Sequence, residues 1–502
     1  MITPTAGFII YGVHKDGLRD PMGAPFIDDA LVARSKAALR AAGIRLVEHD
    51  VVVASKAEAR AACKRMKDDD ALDCVILFSG TWVWAAHIVA AIRDFAMTGK
   101  GVLIWTHPGS QGWRPVGGLV LHGALLEVGI PHKFVYGPAD DPAEIARIAS
   151  FCRAAHLKQW LNQSTIGAFG GRGMGQTCGA ADPSQWMRMF GVDIDSRDTT
   201  DLIRTAQNVT PAELKALEPR ILQLFGKLPP QNVVNERSMR LYLAIKKIVQ
   251  REKWDFYTIQ SFPGLGDDYT ATCFAQSMML EDGYGASTLG DFNTALSVLL
   301  LTKLSAEPVY YGDLQHIDRQ TREIKIIGDG ACPPSLAGTL GPAGFAEHGI
   351  PTEGEAGGLS VQLICKVGEG VLARLGRVNG EFNMVITRCT VFEPPADQLE
   401  RRTLECGIPF WPHGFVTVHC DVDELLQNWT NEYACLGYGA HLYDALVDFC
   451  QMTGIERELQ CRLPRRNRTV VIARGRSPEA ISGFKGGIAS AQTTGLAMTM
   501  LN

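Results

Sequence analysis

Apolar and polar positions in the first 160 residues alternate between two periods. Short, nearly continuous apolar runs at 8–13, 44–53, 74–78, 102–105 and 133–136 predict strands buried on both faces. Between them, 29–42, 56–67, 85–97 and 142–161 repeat apolar residues at the helical spacing. Strands and helices in alternation, with short connections, predict a parallel sheet covered by helices on both faces. The pattern therefore predicts a doubly wound α/β domain over 1–162.

A second α/β domain is predicted over 163–345, with helices at 211–225 and 236–252 and a strand at 255–259. Asp267 and Asp268 read as an N-cap pair for a helix over 269–280, because their carboxylates can satisfy free N–H groups. The block Ser287-Thr-Leu-Gly-Asp291, followed one helix later by Pro308-Val-Tyr-Tyr-Gly-Asp313, reads strand end, helix, strand end. It predicts Leu289 and Asp313 on neighbouring strand tips, where open α/β sheets keep their ligands. The Gly-rich run at 167–175 is either a phosphate cradle or a tight turn that lets backbone approach backbone. Its spacing misses the dinucleotide fingerprint, which favours the turn.

A Gly- and Pro-rich stretch at 329–358 marks a boundary, and from 359 the period changes to two, at 360–367, 370–378, 381–392 and 414–418. The turn Val378-Asn-Gly-Glu381 predicts a hairpin. A β-rich, barrel-like domain follows over 346–461, closing with helices at 421–433 and 441–451. The tail 462–502, which begins Arg462-Leu-Pro-Arg-Arg-Asn-Arg468, carries no core pattern.

Composition narrows the function classes. A net charge of −5 with scattered Lys and Arg gives no long-range attraction to nucleic acid or to an anionic membrane. No apolar run approaches the roughly 18 residues a membrane span needs, and no basic n-region or cleavage site opens the chain. The 13 cysteines, an odd number without a Cys-x-x-Cys pair, predict reduced thiols and a cytoplasmic protein.

Three segments resemble the L-fucose isomerase branch of the L-fucose and L-arabinose isomerase-like family, over most of residues 1–460. They are Thr288-Leu-Gly-Asp-Phe-Asn-Thr-Ala295 through Asp313; Gln427-Asn-Trp-Thr-Asn-Glu-Tyr-Ala-Cys-Leu-Gly-Tyr-Gly439; and Gly170–Gly175 with Trp186-Met-Arg-Met-Phe-Gly-Val192. The resemblance implies two α/β domains and a β-rich domain, a homo-oligomer (trimer or hexamer), and active sites near subunit boundaries. It also implies aldose–ketose isomerisation of a small sugar through an enediol, assisted by a divalent metal, usually manganese. The family's Glu, Asp and His ligands fall on Leu289, Asp313 and Glu432, so only Asp313 is kept. Two carboxylates suit either a weaker metal site or a metal-free acid/base pair.

Asp313 and Glu432 are thus the expected catalytic residues and the expected metal ligands. Asp291 and His316 are nearby substitutes for the lost ligand. Trp82 and Trp84 fall where the family places an aromatic near the sugar; Gln260 and Asn431 suit sugar hydroxyls. His14, Lys15 and Arg19 follow the first strand as candidate substrate contacts, and His413 is a candidate from the β-rich domain. Loss of the Glu position leaves two alternatives to isomerisation. One is another reaction on a modified sugar (epimerase, lyase or C–C cleavage), the other a non-catalytic sugar-binding relative.

Overall fold

The computed structural model describes residues 2–13, 27–108, 113–348, 357–404 and 411–459; His14, Lys15, Arg19 and the tail 462–502 lie outside the described residues. The first unit runs β1 (Thr5–Tyr11), α1 (Asp29–Ala41), β2 (Arg45–Glu48), α2 (Lys56–Lys67), β3 (Cys74–Ser79), α3 (Ala85–Ala96), β4 (Gly101–Thr106), α4 (Arg114–Glu127), β5 (Lys133–Tyr136) and α5 (Pro142–Leu161). Its strands are parallel in the order β2-β1-β3-β4-β5. β1, β3 and β4 are buried throughout because helices cover both faces. Alternate residues feed two separate cores: Ile9, Leu77 and Ile104 on one side, Phe8, Ile76 and Trp105 on the other. The sequence pattern did not predict α4, whose Gly117-Gly118 pair weakens the helical signal but lets the helix press against Thr81 and Thr106.

The second unit contains β6 (Thr165–Phe169), α6 (Pro183–Phe190), β7 (Asp193–Arg197), α7 (Thr199–Gln207), α8 (Pro211–Phe225), α9 (Val233–Glu252), β8 (Phe256–Ile259), the single turn α10 (Gly266–Asp268), α11 (Cys273–Glu281), β9 (Gly285–Ser287) and α12 (Phe292–Ser305). Its four parallel strands run β7-β6-β8-β9. Asp267 and Asp268 lie within α10 and do not cap α11, whose N-cap is Thr272.

The remaining elements are β10 (Tyr310–Asp318), β11 (Glu323–Ile327), β12 (Gly344–Glu347), β13 (Leu359–Gln362), β14 (Gly368–Val378), β15 (Glu381–Phe392), α13 (Ala396–Leu404), β16 (His413–Val418), α14 (Val422–Asn428), β17 (Tyr433–Tyr438), α15 (His441–Thr453) and β18 (Glu456–Leu459). Antiparallel pairing follows β14-β17-β10-β11-β16-β15 and closes through β14–β15, making a six-stranded barrel with β18 added beside β15. Asn379 and Gly380, both at positive φ, form the hairpin turn between β14 and β15.

Two further expectations need correcting. Asp313 does not stand on a tip of the second parallel sheet; β10 pairs with β11 and β17, inside the barrel. An apolar strand after a helix reads the same whichever sheet it joins, so sequence alone did not separate the cases. The helix expected over 421–433 stops at Asn428, and Tyr433 opens a fully buried barrel strand. β9 and the barrel nevertheless meet, because the second sheet and the barrel share one continuous apolar core.

Candidate active site between the second sheet and the barrel

The turn after β9 is the first wall of the site. Leu289 adopts φ 62° and Gly290 φ 68°, a left-handed backbone that costs a branched residue about 1–3 kcal/mol. The Gly-rich run holds this turn in place: Gly173 N–H donates to the Leu289 carbonyl at 2.9 Å. A Cβ on Gly173 would lie 2.8 Å from Leu289 Cα, and one on Gly290 would lie 2.4 Å from the Gly171 carbonyl oxygen. These glycines therefore serve backbone approach. Gln260, at the end of β8, accepts the Gly171 N–H at 2.8 Å and so braces the same loop.

The second wall is the barrel. Cross-strand register puts Tyr433 opposite Asp313 on one side and Ile327 on the other, and places Asp313 and Tyr311 on the same face of β10. Thr288 joins the walls, its hydroxyl 2.9 Å from that of Tyr433. The Tyr311 and Tyr433 rings meet edge-on at 5.4 Å. Asp313 is half-buried. Burial, reinforced by the charges of Asp329 and Glu432, pushes its carboxyl up to about 7. Burial also pushes Asp329 up to about 6, against the opposing pull of its own backbone N–H and the Thr288 hydroxyl. Among the described residues, no Lys, Arg or His forms an ion pair with Asp313, Asp329 or Glu432.

A side-chain network supports Glu432 from behind. Gln176 donates to its carboxylate; Asn431 donates to Gln176 Oε1 at 3.4 Å and to Asp291 Oδ2 at 3.0 Å. Asp291 also accepts from Arg374 at 2.7 Å, and both members of that pair are 0% exposed. Burial opposes the guanidinium charge, but Asp291 and neighbouring groups outweigh it and hold Arg374 above its ordinary value. Asp291 caps α12 as well, accepting the Thr294 N–H at 2.9 Å. It is a structural carboxylate and no substitute ligand.

The structure therefore brings together Asp313 and Glu432, with Asn431 and Gln260 at the flanks. His316 is exposed at a bulge in β10. His413 is buried at the start of β16, stacked on Phe415. Trp82 and Trp84 sit at the tip of β3, in the other sheet, 37% and 61% exposed. Sequence reasoning missed Thr288, Tyr311, Asp329, Arg374 and Tyr433. Period-two spacing already linked Tyr311 to Asp313, and an arginine inside the apolar run of β14 signals a buried counter-charge.

The implied divalent metal does not fit the donors. Leu289, at the position of the expected Glu, is a hydrocarbon side chain in the core, 8% exposed. Glu432 is engaged by Gln176. Among the described residues, no group of three His, Cys, Asp or Glu is placed to hold an ion.

No protein-family model matches the sequence. Among curated proteins, the chain is similar to the sulfoquinovose isomerase of Alkalicoccus urumqiensis, at 22% identity over 381 residues, covering 71% of this chain and 83% of that one. It is similar to the sulfoquinovose isomerase of Clostridium sp. (strain MSTE9), at 26% over 317 residues, covering 58% and 68%. It is also similar to the L-arabinose isomerase of Mycolicibacterium smegmatis, at 22% over 304 residues, covering 56% and 58%. These relatives are sugar isomerases.

Proposed function

We propose that the chain is a sugar isomerase that interconverts an aldose and its ketose through an enediol, with Asp313 as the proton carrier. The observation that carries this reading is a half-buried carboxyl, held near neutrality by burial and two like charges, on the face of the barrel that meets the strained turn at Leu289. A group poised near the working pH can take a proton from carbon and return it to the neighbouring carbon. The reaction class agrees with the similarity to sulfoquinovose and L-arabinose isomerases.

Glu432, oriented by Gln176, contributes the charge that raises Asp313 and accepts from a sugar hydroxyl. Asn431 and Gln260 line the polyol from the flanks. No step is routed through a metal, because the donors do not fit one. The protein works in the cytoplasm as a homo-oligomer, trimer or hexamer, with Trp82 and Trp84 contacting sugar across subunits. Sedimentation tests that assembly: a monomer at working concentration removes the cross-subunit role. Among the described residues, no helix is long and apolar enough to cross a membrane.

The test of the reaction is product NMR in heavy water on a panel of aldoses and ketoses that includes sulfoquinovose and L-arabinose. Ketose formation with deuterium entering beside the carbonyl supports the enediol route. A product epimerised or cleaved at carbon would replace isomerisation with one of the other reactions. Binding of sugars without any conversion would leave only a sugar-binding protein.

A further inference from the structure

Asp329 is a carboxyl that the resemblance does not bring forward. It occupies the Gly328-Asp-Gly330 turn leaving β11, and that turn is fixed on several sides. Gly328 N–H donates to the Tyr310 hydroxyl. Cys273 Sγ donates to the Asp329 carbonyl at 2.7 Å, and Val361 N–H donates to the Gly330 carbonyl at 2.9 Å. Cys273 also meets His348 Nδ1 at 3.1 Å. Burial pushes the thiol far above its ordinary range and the imidazole down to about 4, so the pair behind the turn is uncharged at neutral pH and offers Asp329 no counter-ion.

In front of the turn the polar groups are incomplete. Asp329 Oδ1 is buried and accepts no hydrogen bond among the described residues. The hydroxyl of Tyr311, a side chain 1% exposed, makes none either. Tyr311 lies beside Asp329 and Thr288, and the Asp329 charge helps burial raise its phenol. Unpaired buried polar atoms are costly, and two of them beside Asp313 mark a place where a ligand supplies the missing partners.

We propose that Asp329 is the second proton carrier, paired with Asp313 in place of the carboxylate absent at Leu289, so that isomerisation runs on two protein carboxyls without a resident metal. The proposal rests on the isomerase reading above. In the open-chain aldose, the ionised carboxylate takes the proton from C2, the C–H electron pair forms the C1=C2 bond, and the C1 oxygen takes the proton of the neutral carboxyl. The neutral enediol then receives the first proton at C1. The second carboxylate takes the proton of the C2 hydroxyl as C2=O forms. Both carboxyls end as they began, and no outside reductant, oxidant or base is consumed.

The experiment uses the full chain with sulfoquinovose and L-arabinose in heavy water, before and after dialysis against a chelator. Asp329→Asn is expected to lower turnover about 100-fold or more, the scale of one acid/base group. KM should stay within about threefold and deuterium entry should fall in step, with Asp329→Glu recovering part of the rate. Turnover within about threefold of the parent in Asp329→Asn overturns the proposal. So does activity that vanishes on dialysis and returns with manganese. A second measurement does not depend on turnover: carboxyl-carbon NMR of Asp313, which also lies near Glu432, Tyr310, Tyr311 and Tyr433. Its titration midpoint should fall in Asp329→Asn, since a like charge is gone; an unmoved midpoint sinks the pair. A parent chain that converts neither sugar and exchanges no deuterium sinks the isomerase reading, and the carboxyl measurement then decides the pair by itself.

Discussion

Two acidic centres flank the turn at 288–291, and they are built in opposite ways. Asp291 is fully enclosed, yet its charge is matched by Arg374, Asn431, Thr294 and the N-terminus of α12. Asp313 and Asp329 are also withdrawn from water, yet the charges that act on Asp313 are those of Asp329 and Glu432. Burial alone does not distinguish a working carboxyl from a structural one. Uncompensated burial does, because such a group responds by holding a proton.

The largest effect expected from breaking this contrast is on turnover. Asp313→Asn should lower it by about three orders of magnitude, within the range for an acid/base group, with near-ultraviolet circular dichroism unchanged; more than a tenth of parental activity would remove Asp313 from the chemistry. Next in size is stability. Arg374→Met strands Asp291 and should cost about 3–5 kcal/mol in denaturant titration, whereas Asp313→Asn at pH 8 should cost nothing or stabilise. Equal losses in the two variants would erase the distinction drawn here.

The third prediction concerns pH. Asp313 and Asp329 sit above the ordinary carboxyl range, so the folded chain takes up protons before the unfolded chain does. Their contribution to stability is therefore absent well above pH 7, grows as pH falls through about 7 and about 6, and is complete below the unfolded value near 4. The double variant Asp313→Asn, Asp329→Asn should flatten this part of the curve between pH 8 and 5; a parental slope in the double variant would mean that other groups carry it. The smallest effect is expected far from the contrast. Trp84→Ala, at a 61% exposed site, should change stability by no more than about 0.5 kcal/mol.

Most of the architecture was legible where periodicity is strong. α2, α5, α8, β5 and β15 fall on the predicted residues, because amphipathic helices and alternating strands declare themselves locally. What failed was membership. β10 reads as the next strand of a parallel sheet until its partners are known, and β17 hides behind an Asn- and Thr-rich linker that continues the apparent helix. Asp313 and Glu432 came from a resemblance in order and spacing. Asp329 was illegible because Gly-Asp-Gly after a strand is an ordinary turn; only the tertiary packing around it leaves its Oδ1 without a partner. Arg374 was overlooked, although a lone arginine in Val-Leu-Ala-Arg-Leu needs a counter-charge.

The burial of α12 sets where this chain can be cut. Its Ser297 side accepts the Leu375 N–H of β14 and its Leu301 side packs on Gly437 of β17, while Leu299 packs on Gly285 of β9. A fragment ending at 345 would strip the cover from one flank of a helix with twelve buried residues, and an apolar surface of that kind associates rather than dissolves. Expression fragments should keep everything from β6 to α15 on one polypeptide, and a protease that nicks the linker between them should release no independently soluble half.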